Sequence, residues 1–221
     1  MDNISDAFLL ISPIVDKFTI GSDTIRYDVQ ILPLWNELLA ALKPYLELAN
    51  AYCKERDDNS KTFESAKNKA EAELKTIFTD GTTKIKLMSS YGAKTYLNGN
   101  SDIDFGVIIN CPEDDFYQNL HQKLMETNGF TFKHRLFNYF VYQKVIDGIE
   151  IESKIRRKCD QSDSMVKLHK EIDSLPVQTK NLITYAKLLL VDDAKLYGKL
   201  KWLMYSTYYT ICLKRNQRRI N

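Results

Sequence analysis

Cysteine and histidine are sparse and poorly spaced for metal binding. Cys53, Cys111, Cys159 and Cys212 are scattered without a C-x-x-C pair, and His121, His134 and His169 are the only imidazoles. That pattern argues against a structural zinc site and reads as reduced thiols. No apolar run is long enough to span a bilayer, and the N-terminal stretch Phe8-Leu9-Leu10-Ile11 is interrupted by Pro13 and preceded by aspartates instead of basic residues. The expected setting is therefore soluble and intracellular, in the cytoplasm, with no membrane partner. No internal repeat is visible. An excess of one charge is missing too: 31 Lys and Arg against 29 Asp and Glu leave a net charge of +2. Bulk charge thus does not mark a nucleic-acid binder, and a basic footprint has to be local.

What is present is an ordinary globular composition, 44% hydrophobic and 27% charged over 221 residues, enough for one two-lobed domain or two small ones. Two local basic segments stand out. Lys154, Arg156, Arg157, Lys158, Lys167 and Lys170 face only Asp160 and Asp163 across one stretch, and Lys214, Arg215, Arg218 and Arg219 crowd the last residues. Each reads either as a nucleic-acid contact or as the solvated face of a helix.

The chain begins with helical periodicity: a short helix near Ser5 to Phe18, then Leu34 through Tyr52 with Pro44 breaking or restarting it. Ser60 is placed to cap a charged helix ending near Phe78, closed by Thr79-Asp80-Gly81. From Lys84 the period changes to two. Lys84 to Ser89 reads as a strand, Tyr91-Gly92 as the turn after it, and Asp102 to Ile109 as a buried strand. Pro112-Glu113-Asp114-Asp115 opens a helix to about Glu126, stopped at Gly129. Phe137 to Ile146 and Ile149 to Ile155 form a hairpin through Asp147-Gly148, a dipeptide favoured in two-residue turns. Helical spacing returns in Met165 to Ile172, Val177 to Val191 and Leu196 to Leu213, with Pro176 at a first helical position. The expected fold class is α+β, a small mixed sheet with helices. Its core spans residues 60–158, and 1–59 and 159–221 are helical segments that pack together as a second lobe.

The chemistry lies in carboxylates. Asp102 and Asp104 are two apart on a strand, so both project from one face while Ile103 points the other way. Hard divalent cations take oxygen ligands, and a carboxylate pair of this kind usually has a third partner. Glu152 and Glu150 share one face of the second hairpin strand, and an adjacent antiparallel strand would bring either to the pair. A glycine just after a strand, as in Tyr91-Gly92-Ala93, permits close backbone approach to a phosphate, with the amides of a following helix start as a cradle.

These residues resemble the polymerase β-like nucleotidyltransferases. Their signature is a Gly-Ser after a strand, a short helix, a Ser-Asp-hydrophobic-Asp strand, and a later acidic residue on another strand. Gly92, Ser101, Asp102, Asp104 and Glu152 match it in order. The chain is most similar to the non-canonical poly(A) polymerases and terminal uridylyltransferases, whose late carboxylate follows a Gly-Ile-x-hydrophobic pattern comparable with Gly148-Ile149-Glu150-Ile151-Glu152, which favours Glu152 over Glu150. Tyr185-Ala186-Lys187 resembles their Trp-Ala-Lys, whose lysine contacts the triphosphate, and Ser206-Thr207-Tyr208 resembles their Ser-Ser-Tyr, which binds phosphate and stacks the base. Against the signature, Ala93 replaces the serine, the interval from Gly92 to Asp102 is short (102 − 92 = 10), Glu152 replaces an aspartate, and Ile183 stands where a further lysine is usual.

The resemblance implies an enzyme using magnesium or manganese, held by Asp102, Asp104 and Glu152, to add nucleoside monophosphates from an NTP to an RNA 3′ end. Gly92, Ala93, Ser101, Lys187, Thr207 and Tyr208 are the expected nucleotide contacts. A homo-oligomer or protein partner would supply further RNA binding. The alternatives are transfer to a small molecule or protein, synthesis of oligonucleotide messengers, and a non-catalytic subunit that keeps the fold.

Overall fold

The computed structural model describes residues 2–18, 27–79, 83–99, 101–109, 119–136, 139–157 and 172–217. The expected Asp80-Gly81 stop, the Pro112 helix start, the Met165 to Glu171 stretch, and Lys158, Lys167, Lys170, Arg218 and Arg219 lie outside them. The chain divides into two compact units, Met1–Asp57 with Asp163–Asn221, and Asp58–Ser162.

The first unit is helical. Its elements are α1 (Asp2–Asp16), α2 (Tyr27–Leu42), a short 3-10 turn (Lys43–Tyr45), α3 (Leu46–Asp58), α6 (Val177–Leu190) and α7 (Ala194–Gln217). Pro44 separates α2 from α3, as the pattern implied, whereas Pro13 and Pro33 sit inside helices without ending them. Pro176 occupies the N-cap of α6 with extended ψ, one residue earlier than expected. α1 packs on α2, α6 and α7, burying Ile11, Leu38, Leu42, Leu190 and Leu200. Lys199 reaches Asp16 at 2.7 Å and Asn181 donates to Asn50 at 2.8 Å, so the two ends of the sequence are tied together within this unit. Among the described residues no helix is long and apolar enough to cross a membrane.

The second unit holds α4 (Lys61–Ile77), α5 (Ser89–Gly92), a π-helical segment (Gln122–Thr127) and five strands. These are β1 (Lys84–Met88), β2 (Ile103–Ile109), β3 (Thr131–Leu136), β4 (Tyr139–Ile146) and β5 (Ile149–Arg157), in the order β1-β2-β5-β4-β3. The fold is α+β with a mixed sheet, as the sequence implied. β3 was not anticipated: its residues are largely exposed, so it lacks the apolar alternation of a half-buried strand. β4 and β5 form the expected hairpin, with Asp147 at φ 51° and Gly148 at φ 78°, the two left-handed positions of a type I′ turn. That turn fixes the register of β5 against β4. Contrary to expectation, β5 lies parallel to β2, because the chain crosses from β2 to β3 and β4 before returning beside β2.

One face of the sheet is apolar. Ile103, Phe105, Val107 and Ile109 of β2 join Ile151 and Ile155 of β5 against Phe63, Ala66, Ala70, Leu74 and Ile77, which recur at helical spacing along α4. Each fully buried Leu, Ile or Phe contributes about 1.5–3 kcal/mol. The polar edge of α4 grips the hairpin through Lys69 and Ser65, at 2.7 and 2.8 Å from Asp147.

Candidate metal centre

The opposite face of the same strands carries the carboxylates. Because β2 and β5 are parallel with Asp104 level with Glu152, the two side chains project side by side. Asp102 lies one residue before β2 begins, on the same face as Asp104. Ligand oxygens of Asp102, Asp104 and Glu152 all lie within 4.8 Å of one another. Glu150 is one step further along β5 and outside this cluster. Asp104 is only 2% and Glu152 7% exposed, so their charges are largely removed from water.

Cationic side chains already sit on these oxygens. Lys154 Nζ is 2.8 Å from Asp104 Oδ1 and 3.5 Å from Glu152 Oε2. Lys133 Nζ is 2.7 Å from Glu150 Oε1 and 2.5 Å from Glu152 Oε1. Burial pushes the Glu152 carboxyl up, but the Lys133 hydrogen bond, the Lys154 charge and the contact with Asp104 outweigh it and hold it below the ordinary carboxylate range. The same contacts to Glu150 and Glu152 raise Lys133 above an ordinary lysine. Met88, opposite Asp104 on β1, covers Gly106, where an added Cβ would come within 2.1 Å of its sulfur. A glycine therefore keeps the strand narrow beside Lys154, its partner on β5.

This donor set fits a hard divalent cation. Oxygens sharing one magnesium at about 2.1 Å each span up to about 4.2 Å, close to the observed cluster. The cluster also already accommodates positive charge, in the form of the Lys154 ammonium between two carboxylates.

The other expected site residues are placed differently. α5 starts directly after β1 and ends at Gly92, so the short helix precedes Gly92 instead of following it. The positions that follow β1 and open α5 are Ser89 and Ser90. A pair of hydroxyl residues at the end of a period-two run is a helix-start signal that could have revealed them. Ala93 is only 3% exposed and packs into the interior. Ser101 Oγ accepts a hydrogen bond from the Leu97 amide at 2.9 Å, stapling the loop that leads into β2. In the helical unit, Lys187 is buried on α6, and Thr207, fully buried on α7, donates to the Leu203 carbonyl at 2.8 Å. The Tyr208 side chain lies outside the described residues, as do those of Arg157, Lys214 and Arg215. Of the first basic segment, Lys154 is engaged by the carboxylates and Arg156 is buried, 5.6 Å above the Tyr139 ring.

No protein-family model matches the sequence, and no curated protein matches it. Among solved structures, the chain is similar to the conserved protein GrpB from Enterococcus faecalis, at 17% identity over 71% of this chain and 94% of that one, with a TM-score of 0.50. It is also similar to a cytoplasmic RNA terminal U-transferase at 16% identity and a TM-score of 0.47, over 66% of this chain and 44% of that one. A STING-associated CdnE c-di-GMP synthase from Capnocytophaga granulosa matches at 14% identity and a TM-score of 0.40, over 99% of this chain and 100% of that one. The chain thus spans less than half the length of the terminal U-transferase. At 17% identity the likeness to GrpB is one of fold alone.

Proposed function

We propose that the chain is a metal-dependent nucleotidyltransferase that adds nucleoside monophosphates from an NTP to an RNA 3′ end, with release of pyrophosphate. The observation that carries this reading is the carboxylate cluster of Asp102, Asp104 and Glu152 across parallel β2 and β5. In the reaction the terminal hydroxyl oxygen of the acceptor forms a bond to the α-phosphorus as the bond from that phosphorus to the bridging oxygen of pyrophosphate breaks. Asp102, Asp104 and Glu152 would hold magnesium or manganese, which when bound lowers the pKa of the attacking hydroxyl and neutralises the triphosphate and leaving group. The protein's own contribution is a preset geometry: the parallel register fixes Glu152 beside Asp104, and burial keeps both carboxylates poorly hydrated.

A polyanionic ligand is supported by exposed Lys84 and Lys86, which project from β1 on the same sheet face as Asp104. Ser90, at the start of α5, is the proposed phosphate-side hydroxyl in place of Ala93. Ser101 is proposed to act through the loop it staples, and Lys187 and Tyr208 remain proposed nucleotide contacts of the helical unit. For Lys187→Ala the expected outcome is a raised KM for NTP.

The test incubates the purified chain with labelled RNA and each NTP in turn, with magnesium or manganese, and resolves extended RNA from free nucleotide products. Lengthened RNA supports the reading. Linear or cyclic oligonucleotides without RNA extension would move the assignment to messenger synthesis. A non-catalytic subunit is the second reading, favoured by the two lysines on the carboxylates, and incorporation of any nucleotide rejects it.

A further inference from the structure

β5 places Glu150, Glu152, Lys154 and Arg156 on one face, so a lysine follows the third carboxylate at the next position on the same side. A second lysine arrives by a different route. On β3, Phe132 pairs with Tyr142 and His134 with Val141, which leaves Lys133 as the extra residue of a bulge. Bulges re-aim side chains, and this one directs Lys133 over β4 to β5. The two oxygens of Glu152 are thereby shared out: Oε1 to Lys133 and Oε2 to Lys154, while Lys154 also holds Asp104 Oδ1. Three carboxylates with oxygens within 4.8 Å, two of them almost fully buried, repel strongly unless cations lie among them.

We propose that Lys154 and Lys133 are built-in counter-cations that hold the cluster together before a divalent cation arrives, so that cation loading is an exchange in which Lys154 leaves Asp104. This inference rests on the cluster being the metal centre of the proposed transferase. An ammonium and a divalent cation cannot share Asp104 Oδ1 without close repulsion, which makes the two occupants alternatives. The displaced Lys154 keeps a flexible stem and a point charge at the rim of the carboxylates, suited to an incoming triphosphate. The cation alone then binds weakly, and cation and nucleotide strengthen each other's binding. The device guards the centre against occupation without substrate.

Manganese titration by electron paramagnetic resonance on the full chain tests the exchange without relying on turnover. Lys154→Met and Lys154→Gln are expected to bind Mn2+ at least about tenfold more tightly than the unsubstituted chain, as removal of a unit charge within about 4 Å of a partly buried site demands. Lys154→Arg keeps the charge and is expected to bind like the parent, and Lys133→Met to show a smaller gain. If Lys154→Met melts early without metal, recovery of its Tm by Mn2+ supports the exchange. The gain must disappear when Asp102→Asn and Asp104→Asn are added. Equal or weaker Mn2+ binding by Lys154→Met and Lys154→Gln would overturn the proposal, and nucleotide incorporation by the parent in that case would leave the transferase reading intact. Tighter Mn2+ binding with no incorporation of any nucleotide by the parent would do the reverse.

Discussion

Ile149, Ile151, Ser153 and Ile155 on one side of β5 alternate with Glu150, Glu152, Lys154 and Arg156 on the other. Ile149, Ile151 and Ile155 join the core that holds α4 and the apolar face of β2, and Glu152 clusters with Asp102 and Asp104 while Lys154 reaches Asp104. A strand of nine residues thus serves two purposes with almost no shared side chain. The apolar face supplies the free energy that makes the sheet, and the sheet's register then sets the distances on the charged face. Stability and chemistry should accordingly respond to different substitutions, even between sequence neighbours.

The largest expected effect falls on the charged face. Asp102→Asn with Asp104→Asn should lower nucleotide incorporation by about a thousandfold or more while the thermal midpoint stays within a few degrees of the parent, since electrostatic groups at such centres account for factors of about 10²–10³ each. Incorporation assays beside circular dichroism melts check this, and a variant that unfolds would erase the distinction between faces. Phe105→Ala, one residue away on the other face and 1% exposed, should cost about 3–5 kcal/mol of stability by cavity formation. Denaturant unfolding measures that loss. Activity per folded molecule should fall far less than in the double aspartate variant.

A smaller effect appears with pH. The Glu152 carboxyl is depressed in the folded chain, so its contribution is present above the unfolded value of about 4.3 and is lost as pH falls through the folded value. Lys133 is raised, so its contribution is complete below about 10.4 and fades only as pH rises through its folded value. Melting curves of Glu152→Gln should be flatter than the parent's below about pH 4.5, and an unchanged acid limb would detach Glu152 from stability. The smallest effect belongs to the hairpin: Gly148→Ala, at φ 78°, should cost about 1 kcal/mol by chemical denaturation. That change probes the β4–β5 register on which both faces depend.

Much of this arrangement was legible in the sequence because it is local. The change to period two at Lys84, the Asp102-x-Asp104 pair, the Asp147-Gly148 turn and the helical spacing in α4, α6 and α7 each reside within a short window. The parallel placement of β5 beside β2 is a long-range choice, and no residue of β5 encodes its neighbour's direction. β3 escaped notice because Thr131 to Arg135 are exposed, and an edge strand of that kind carries little apolar pattern. Gly92 attracted the phosphate reading because glycine is a conspicuous signal, and the helix start at Ser89 is marked only by hydroxyl residues. Lys154 read either as a nucleic-acid contact or as a solvated face, and Lys133 carried no expectation. A lysine's stem allows its charge to lie several ångströms from its backbone, and only coordinates reveal which carboxylate it reaches.

The central claim is that the charged face performs divalent-cation-dependent nucleotidyl transfer, and pyrophosphate release measures it most directly. The full chain, supplied with RNA, each NTP and either magnesium or manganese, should release pyrophosphate in step with nucleotide incorporation, and chelation or the Asp102→Asn, Asp104→Asn pair should abolish both. Release that persists undiminished in the folded double variant, or no release with any NTP and either cation, would contradict the account.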